Sequence, residues 1–395
     1  MKNALVVGGN SGIGLSLVIE LIKNDYNHIY IVGKDKPIIE DIPIDLREQF
    51  TTKTEFYKVN LINEEYEIFD KIQDINTLII TAGFGRIALF EDLNETEITN
   101  LIKCNELSII RIIKKYYQKI LNEEFYTAII GSIAGHVASP LFSVYGASKM
   151  GLCGFIENIN IELMKKNTEN RILDVSPGSL KGTKFEGGKN DINQTQLIAE
   201  NIIENMFKRN TLYIPQYDEV YKNVIERYQN NPIKFGIESY DYKMNNRKMS
   251  NKTQVVIGYL SGTFDLFHIG HLNLLRRAKE QCDYLIVGVH KSGAWKRKET
   301  FIPFEERKDI VGHIKYVDKV IESYPEDADA WNEFHYNKLF VGSDYKGTER
   351  FNRYEEYFKD KDVEIVYFPY TQGTSSTQLR DALKKWKKVK EWRHT

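Results

Sequence analysis

ALVVGGNSGIGLSLVIELIK, residues 4–23, is the stretch that decides how the first half of this chain folds. Ala4–Val7 is a short β-branched run that reads as a strand, and it leads straight into a turn carrying Gly8, Gly12 and Gly14. Ile13–Lys23 then shows the apolar spacing of an amphipathic helix. Glycines permit a tight turn and close approach of the backbone to a bound group. The first helical turn adds N–H groups and the positive end of the helix dipole. Strand, glycine turn and helix in this order make a cradle for a pyrophosphate. A secretory leader would need a longer apolar run and a cleavage site, so these residues are read as a first strand.

The alternation continues outward from that stretch. His28–Val32, Thr77–Ile80, Thr127–Ile130 and Ile172–Val175 read as further strands, and Ile98–Ile120 as one long helix. Such alternation predicts a parallel sheet covered by helices on both faces. From Ser239 the sequence SYDYKMNNRKMSNKTQ is polar and aperiodic, which predicts a linker. A new strand–loop–helix follows at Val255–Arg277, with strands at Tyr284–Val289, Lys338–Val341 and Glu364–Phe368. The expected fold class is therefore α/β in two domains. A doubly wound parallel sheet spans 1–238, a linker spans 239–252, and a smaller α/β unit spans 253–395.

Bulk properties narrow the partners. A length of 395 residues suits two cores, and a net charge of -1 provides no global attraction for nucleic acid or an anionic membrane. No run approaches the ~18 apolar residues of a membrane span. Cys104, Cys153 and Cys282 are scattered, which argues against disulfides and zinc knuckles and points to a reducing, cytoplasmic setting.

A second constellation in the first domain carries chemistry. Ser132 ends the run YTAIIGS, and Tyr145 and Lys149 follow in YGASK. Residues four apart share a helix face, so phenol and ammonium can face one cavity. A nearby cation is expected to lower the tyrosine pKa, and the tyrosine can then protonate a carbonyl oxygen as hydride reaches its carbon.

With GGNSGIG, TAG (Thr81–Gly83), Asn105, Ser132, YGASK and SPG (Ser176–Gly178), residues 1–235 resemble the short-chain dehydrogenase/reductase family. The resemblance implies a Rossmann fold in which Tyr145 is the general acid. By the same resemblance Lys149 binds the nicotinamide ribose, Ser132 polarises the carbonyl, and Asn105 holds a water of a proton relay. It implies cofactor contacts at Gly8, Asn10, Ser11, Gly12, Ile13, Gly14, Lys34, Ala82, Gly83, Pro177 and Gly178. Asn60 departs from the family's usual aspartate near the adenine, and its threonine after PG is shifted, to Thr183. Gly33 stands where an acidic residue would bind the ribose hydroxyls of NAD, and Lys34 can pair with a 2′-phosphate. NADPH is thus expected, with NADH left open by the nearby Asp35. Arg86, Lys181, Lys184 and Lys189 are candidates for a substrate phosphate, set against a merely solvated charged loop.

In the second domain, GTFDLFHIGH places His268 and His271 at a helix start after a strand and a glycine-containing loop. Two histidines three apart there converge with the helix dipole on anionic oxygens. H-x-x-H spacing can also chelate zinc, but no third ligand lies nearby in sequence and the context favours phosphate, so no metal site is assigned. Residues 253–385 resemble the glycerol-3-phosphate cytidylyltransferase branch of the HxGH nucleotidyltransferases. By resemblance, His268, His271 and Lys298 serve transfer. CTP, accompanied by Mg²⁺, is held by those three with Gly262, Thr263, Phe264, Arg307, Asp344, Thr374, Ser375, Ser376 and Thr377. The family's arginine–threonine–glutamate–glycine stretch reads Tyr370-Thr371-Gln372-Gly373 here, which leaves the acceptor open.

Joined, the two halves imply reduction of a phosphorylated ketose to an alditol phosphate and its activation as a CDP-polyol for capsule or cell-surface polymer synthesis. Ribulose 5-phosphate and CDP-ribitol are the first expectation. CDP-glycerol, CDP-tetritol and CDP-arabinitol, or reduction after cytidylylation, are the alternatives, with a non-catalytic nucleotide-sensing scaffold as the reading from another class. Both families imply a homo-oligomer.

Overall fold

The computed structural model describes residues 2–64, 66–183, 191–246, 256–292, 300–369, 378–380 and 382, and divides into two compact units between residues 251 and 252. The first unit runs β1 (Asn3–Val7), α1 (Gly12–Lys23), β2 (His28–Gly33), α2 (Arg47–Lys53), β3 (Thr54–Lys58), α3 (Glu67–Lys71) and β4 (Thr77–Ile80). It continues through α4 (Glu95–Ile102), α5 (Ser108–Ile120), β5 (Tyr126–Ile130), α6 (Ser143–Lys165), β6 (Ile172–Val175), α7 (Ile192–Phe207), β7 (Leu212–Tyr213), α8 (Lys222–Asn230) and α9 (Pro232–Asn246). Its seven strands are parallel in the order β3-β2-β1-β4-β5-β6-β7.

Strand period dictates the layering. Ala4 and Val6 of β1 enter one core with Leu15, Val18 and Ile202 from α1 and α7, while Leu5 and Val7 enter the other with Ile109, Ile112 and Leu152 from α5 and α6. With both faces covered, the central strands read as continuous apolar runs. Strand order reverses between β1 and β4, and a ligand crevice opens at the carboxyl ends of strands at such a point.

The second unit consists of β8 (Ile257–Gly262), α10 (Ile269–Lys279), β9 (Tyr284–Val289), α11 (Phe304–Gly312), β10 (Lys319–Glu322), α12 (Asp327–Phe334), β11 (Lys338–Gly342), α13 (Glu349–Phe358) and β12 (Glu364–Phe368). Its five parallel strands lie in the order β10-β9-β8-β11-β12, with the reversal between β8 and β11. Leu260, Val287 and Leu275 fill one face, and Tyr259, Ile286, Phe351 and Phe358 the other. No described helix is long and apolar enough to cross a membrane.

Two local expectations are corrected. The single helix expected over Ile98–Ile120 is broken by a π-helical segment, Lys103–Leu107. The wider turn carries Asn105 fully into the interior, where its side chain finds three partners. The stretch read as a linker from residue 239 begins as helix, because α9 runs on to Asn246. Buried Lys243 anchors it, donating to Ser139 Oγ (2.8 Å) and the Pro140 carbonyl (2.9 Å).

Candidate active sites

In the first unit, the crevice between β1 and β4 is shaped by missing side chains. Gly8 has a φ of +91°, and a Cβ there would lie 2.6 Å from Thr81 Oγ1. A Cβ at Gly14 would lie 2.2 Å from the Gly8 carbonyl oxygen, and one at Gly12 (φ +51°) would meet Thr183. Ser11 is the extended N-cap of α1 yet makes no side-chain cap bond, so its hydroxyl does not satisfy the first amides of the helix. This cradle, which Cβ atoms would fill, suits a pyrophosphate. Ile13 packs on the core beside it. Asn10 leans over the end of β2: a Cβ at Gly33 would lie 2.7 Å from its Oδ1. The Asn10 side chain thus takes the space beside position 33 that a side chain there would enter. Lys34 and Asp35 follow, both exposed.

On the far side of the crevice, Ala82 and Gly83 lead to the reacting groups. A Cβ at Gly83 would come within 3.5 Å of Lys149 Nζ and 3.2 Å of Asn105 Oδ1. Lys149 and Tyr145 share the inward face of α6, both buried. The ammonium donates to the Ile130 carbonyl (2.8 Å) and lies 5.9 Å from the Tyr145 ring centroid. Burial pulls the Lys149 pKa down to about 8, opposed by the fields of Cys153, Cys104 and Asp174. Burial pushes the Tyr145 phenol up, and its hydrogen bond with Ser132 only partly offsets this. The direction is opposite to the lowering expected from the neighbouring cation: desolvation outweighs the Ser132 hydrogen bond, and the phenol keeps its proton. Ser132 Oγ also accepts from the Ala134 amide (3.1 Å), which fixes it at the end of β5.

Asn105, expected to hold a water of the proton relay, is fully buried and its side chain is tied to neighbouring segments. Its Oδ1 accepts from the Phe84 amide (3.0 Å), and its Nδ2 donates to the Phe84 carbonyl (2.8 Å) and to Ser148 Oγ (3.2 Å). The side chain thus clamps the segment after Gly83 to α6. Arg86 is also reassigned, since it is buried against Glu97 and the Asp92 carbonyl rather than offered to a substrate. Asn60 caps a 3-10 turn by accepting from the Ile62 amide. Lys181 is exposed, and Lys184 and Lys189 lie outside the described residues. The Pro177 carbonyl accepts from the Ile133 amide (2.9 Å), bringing Pro177 and Gly178 beside Ser132. A polar relay escaped the sequence reading: His136 Nε2 lies 2.9 Å from Ser176 Oγ, which donates to buried Asp174 (2.8 Å). No motif announces it, because His136 stands about 40 residues before the Asp174–Ser176 segment it meets.

In the second unit, His268 is the extended N-cap of α10 and its Nδ1 accepts from the Gly270 amide at 3.0 Å. That bond requires an unprotonated Nδ1, so the ring carries its proton on Nε2. Burial lowers the His268 pKa below the ordinary histidine value, favouring this neutral form. The His271 ring stacks on it, with centroids 4.0 Å apart at 25°. Gly262 ends β8, and Thr263 and Phe264 open the loop to α10. Phe264 and Leu266 take left-handed backbone conformations (φ +51° and +49°), sparsely populated for such residues. Buried Phe264 packs against His271 (centroids 5.3 Å), and Asp265 accepts from the Phe301 and Ile302 amides (3.0 Å each). These contacts hold the strained loop.

Asp265 also pairs with Arg380 at 2.8 Å, a tie the sequence reading missed because 115 residues separate the two. Burial raises the Asp265 pKa, but Arg380 and the two amides outweigh it and keep the carboxylate ionised. Arg307, expected on a phosphate, is corrected. It is 1 % exposed, and its guanidinium donates to the carbonyls of Ile302, Thr263, His290 and Lys291. An arginine spent on four carbonyls braces the loops of the site rather than meeting the nucleotide. His290, also missed, donates its amide to the Gly262 carbonyl (2.9 Å), and its Nδ1 lies 2.6 Å from Ser323 Oγ. Asp344 folds over the end of β11, where a Cβ at Gly342 would lie 2.4 Å from its Oδ1. Lys298, Thr374, Ser375, Ser376 and Thr377 lie outside the described residues.

Comparison with known proteins agrees with this division. Residues 2–194 match the short chain dehydrogenase family model, and residues 259–387 the cytidylyltransferase-like model. The second region is 35 % identical over 126 residues to glycerol-3-phosphate cytidylyltransferase of Staphylococcus aureus, spanning 31 % of this chain and 90 % of that protein. The first is 28 % identical over 179 residues to carbonyl reductase family member 4 of Xenopus tropicalis, spanning 45 % of this chain and 75 % of the relative. Among solved structures, a short-chain dehydrogenase from Sphingobium yanoikuyae in complex with NADPH superposes with a TM-score of 0.48 at 18 % identity, covering 64 % of this chain and 99 % of that one.

Proposed function

Because this chain belongs to the short-chain dehydrogenase family over its first unit and to the glycerol-3-phosphate cytidylyltransferase family over its second, we propose that it reduces a phosphorylated ketose to an alditol phosphate and transfers CMP from CTP to that product. The observation that carries this reading is that both constellations stand assembled in one polypeptide. One is Ser132 hydrogen-bonded to Tyr145 with Lys149 on the same helix face, and the other is the stacked pair His268 and His271 at the N-terminus of α10.

In the reductase, Gly8, Asn10, Ser11, Gly12, Ile13, Gly14, Ala82 and Gly83 would hold the dinucleotide, and Lys34 the 2′-phosphate that favours NADPH. When bound, the nicotinamide supplies hydride to the carbonyl carbon. Tyr145, kept protonated by its burial, donates its proton to the carbonyl oxygen, which Ser132 orients. Lys149 holds the ribose and supplies positive charge below its pKa. Reduction should therefore be level at neutral pH and fall as pH rises through about 8. The measurement is kcat/KM against pH, and a rate that climbs through this range would overturn the role of Tyr145 as acid.

In the transferase, a phosphate oxygen of the alditol phosphate attacks the α-phosphorus of CTP and the bond to pyrophosphate breaks. The acceptor is already anionic, so positioning and charge stabilisation do the catalysis. The Nε2–H of His268, with His271, faces the charge that develops there, and Mg²⁺ accompanies CTP. Glycerol 3-phosphate is available from general metabolism without a dedicated reductase, which favours a rarer polyol, with ribulose 5-phosphate reduced to ribitol 5-phosphate as the leading case. CDP-glycerol is the second reading, supported by the S. aureus relative. Its products suit capsule or cell-surface polymers.

Incubating the protein with NADPH or NADH, CTP, Mg²⁺ and single ketose phosphates, followed by mass spectrometry, tests this directly. A CDP-pentitol is the expected product. NADPH consumption that stops when CTP is withheld would place reduction after cytidylylation, and absence of any CDP-alditol would overturn the proposal.

A further inference from the structure

We propose that Tyr221 is a specificity-determining residue of the reductase site, recognising a hydroxyl on the carbon chain of the carbonyl substrate. This rests on the reductase reading above and names the group that reads its substrate. The starting observation is at Gly178. Its φ lies outside the left-handed region, so its backbone conformation does not demand glycine. A Cβ there would nevertheless lie 1.6 Å from Tyr221 Oη and 2.1 Å from Cζ. The absence of a side chain at 178 leaves the space in which the phenol end of Tyr221 rests directly on that residue.

The position matters because of what Gly178 adjoins. The preceding Pro177 carbonyl is bonded to the Ile133 amide, one residue from Ser132. Ser132 in turn is hydrogen-bonded to Tyr145. Two covalent neighbours and two hydrogen bonds thus link the loop under the Tyr221 hydroxyl to the group proposed to protonate the carbonyl. Tyr221 reaches this place through an unusual backbone. It ends a π-helical segment, Tyr217–Tyr221, which starts from left-handed Gln216 (φ +58°), whose carbonyl accepts from both Val220 and Tyr221. π turns widen a helix by one residue and recur at functional sites. Among the described residues, the other such segment in this unit delivers Asn105 to the same site.

The chemistry fits a polyhydroxylated substrate. A phenol hydroxyl both donates and accepts, so it can pair with an alcohol in either sense. The segment also lies beyond residues 2–194, the part matching the family model, where one reductase can differ from another without disturbing the reacting groups.

The test compares the full-length protein with Tyr221→Phe, which keeps the ring on Gly178 and removes only the hydroxyl. Each is assayed with NADPH on a ketose phosphate and on a small ketone that bears no hydroxyl. Losing one hydrogen bond should raise KM for the ketose phosphate about tenfold. The kcat, KM for NADPH and kcat/KM for the plain ketone should stay within about twofold. An equal fall with both ketones would make Tyr221 a general support of the site, and no change with either would remove it from recognition; each overturns the inference alone. Failure of the unsubstituted protein to reduce any ketose phosphate would overturn the reductase reading and this inference together.

Discussion

Replacing His268 with alanine should lower CDP-alditol formation about 10²- to 10³-fold, the usual cost of removing one preorganised donor from developing charge, while NADPH-dependent reduction continues. Two effects are removed together. One is structural: His268 caps α10 through Nδ1 and the Gly270 amide, and losing a cap costs about 0.5–2 kcal/mol of stability. The other is chemical, because the same bond forces the ring proton onto Nε2, and burial keeps the ring neutral so that this geometry persists. His268→Asn separates them, since an asparagine oxygen can accept from Gly270 and is a good N-cap. This variant should melt close to the unsubstituted protein yet transfer CMP as poorly as the alanine variant. Full transfer by His268→Asn would reduce His268 to a helix cap and remove it from the chemistry. The assay supplies CTP and an alditol phosphate directly, so that reductase output does not limit it.

Tyr145→Phe should lower ketose phosphate reduction by about 10²- to 10⁴-fold, the range for loss of a positioned general acid. The substitution removes one oxygen and keeps a ring that is largely buried with Leu101, Ala134, Phe142 and Val144. Phe142 lies 5.4 Å away between centroids, so packing and folding should be preserved. Binding of NADPH, followed by fluorescence, should be unchanged because Tyr145 acts on the carbonyl oxygen. CMP transfer to an added alditol phosphate should also be unchanged. Retention of more than a tenth of the reduction rate would show that another group delivers the proton.

The sequence alone determined the elements whose physics is local. The run Ala4–Val7, the glycines that follow and the apolar period of Ile13–Lys23 are read within a few residues, and they fold as β1, the turn and α1. YGASK and HIGH are legible for the same reason: three- and four-residue spacings on a helix set a shared face before any tertiary contact forms. Strand β3 (Thr54–Lys58) and the two-residue β7 were not legible, because an edge strand with a half-exposed pattern lacks the apolar run that marks a central one.

What only the tertiary structure decided is where charge and burial balance. Arg307 carries the same residue type whether it meets a phosphate or four carbonyls, and only the folded loops around residues 263, 290 and 302 select the carbonyls. Arg86 turned inward because Glu97 waits there, and Asn105 because a π turn opened towards Phe84. Desolvation likewise overruled the sequence argument at Tyr145, since burial is a property of everything packed around a group and not of its neighbours along the chain. Motifs name the reacting groups, while the ensemble of distant contacts sets their protons, their partners and the residues, such as Tyr221, that no motif contains.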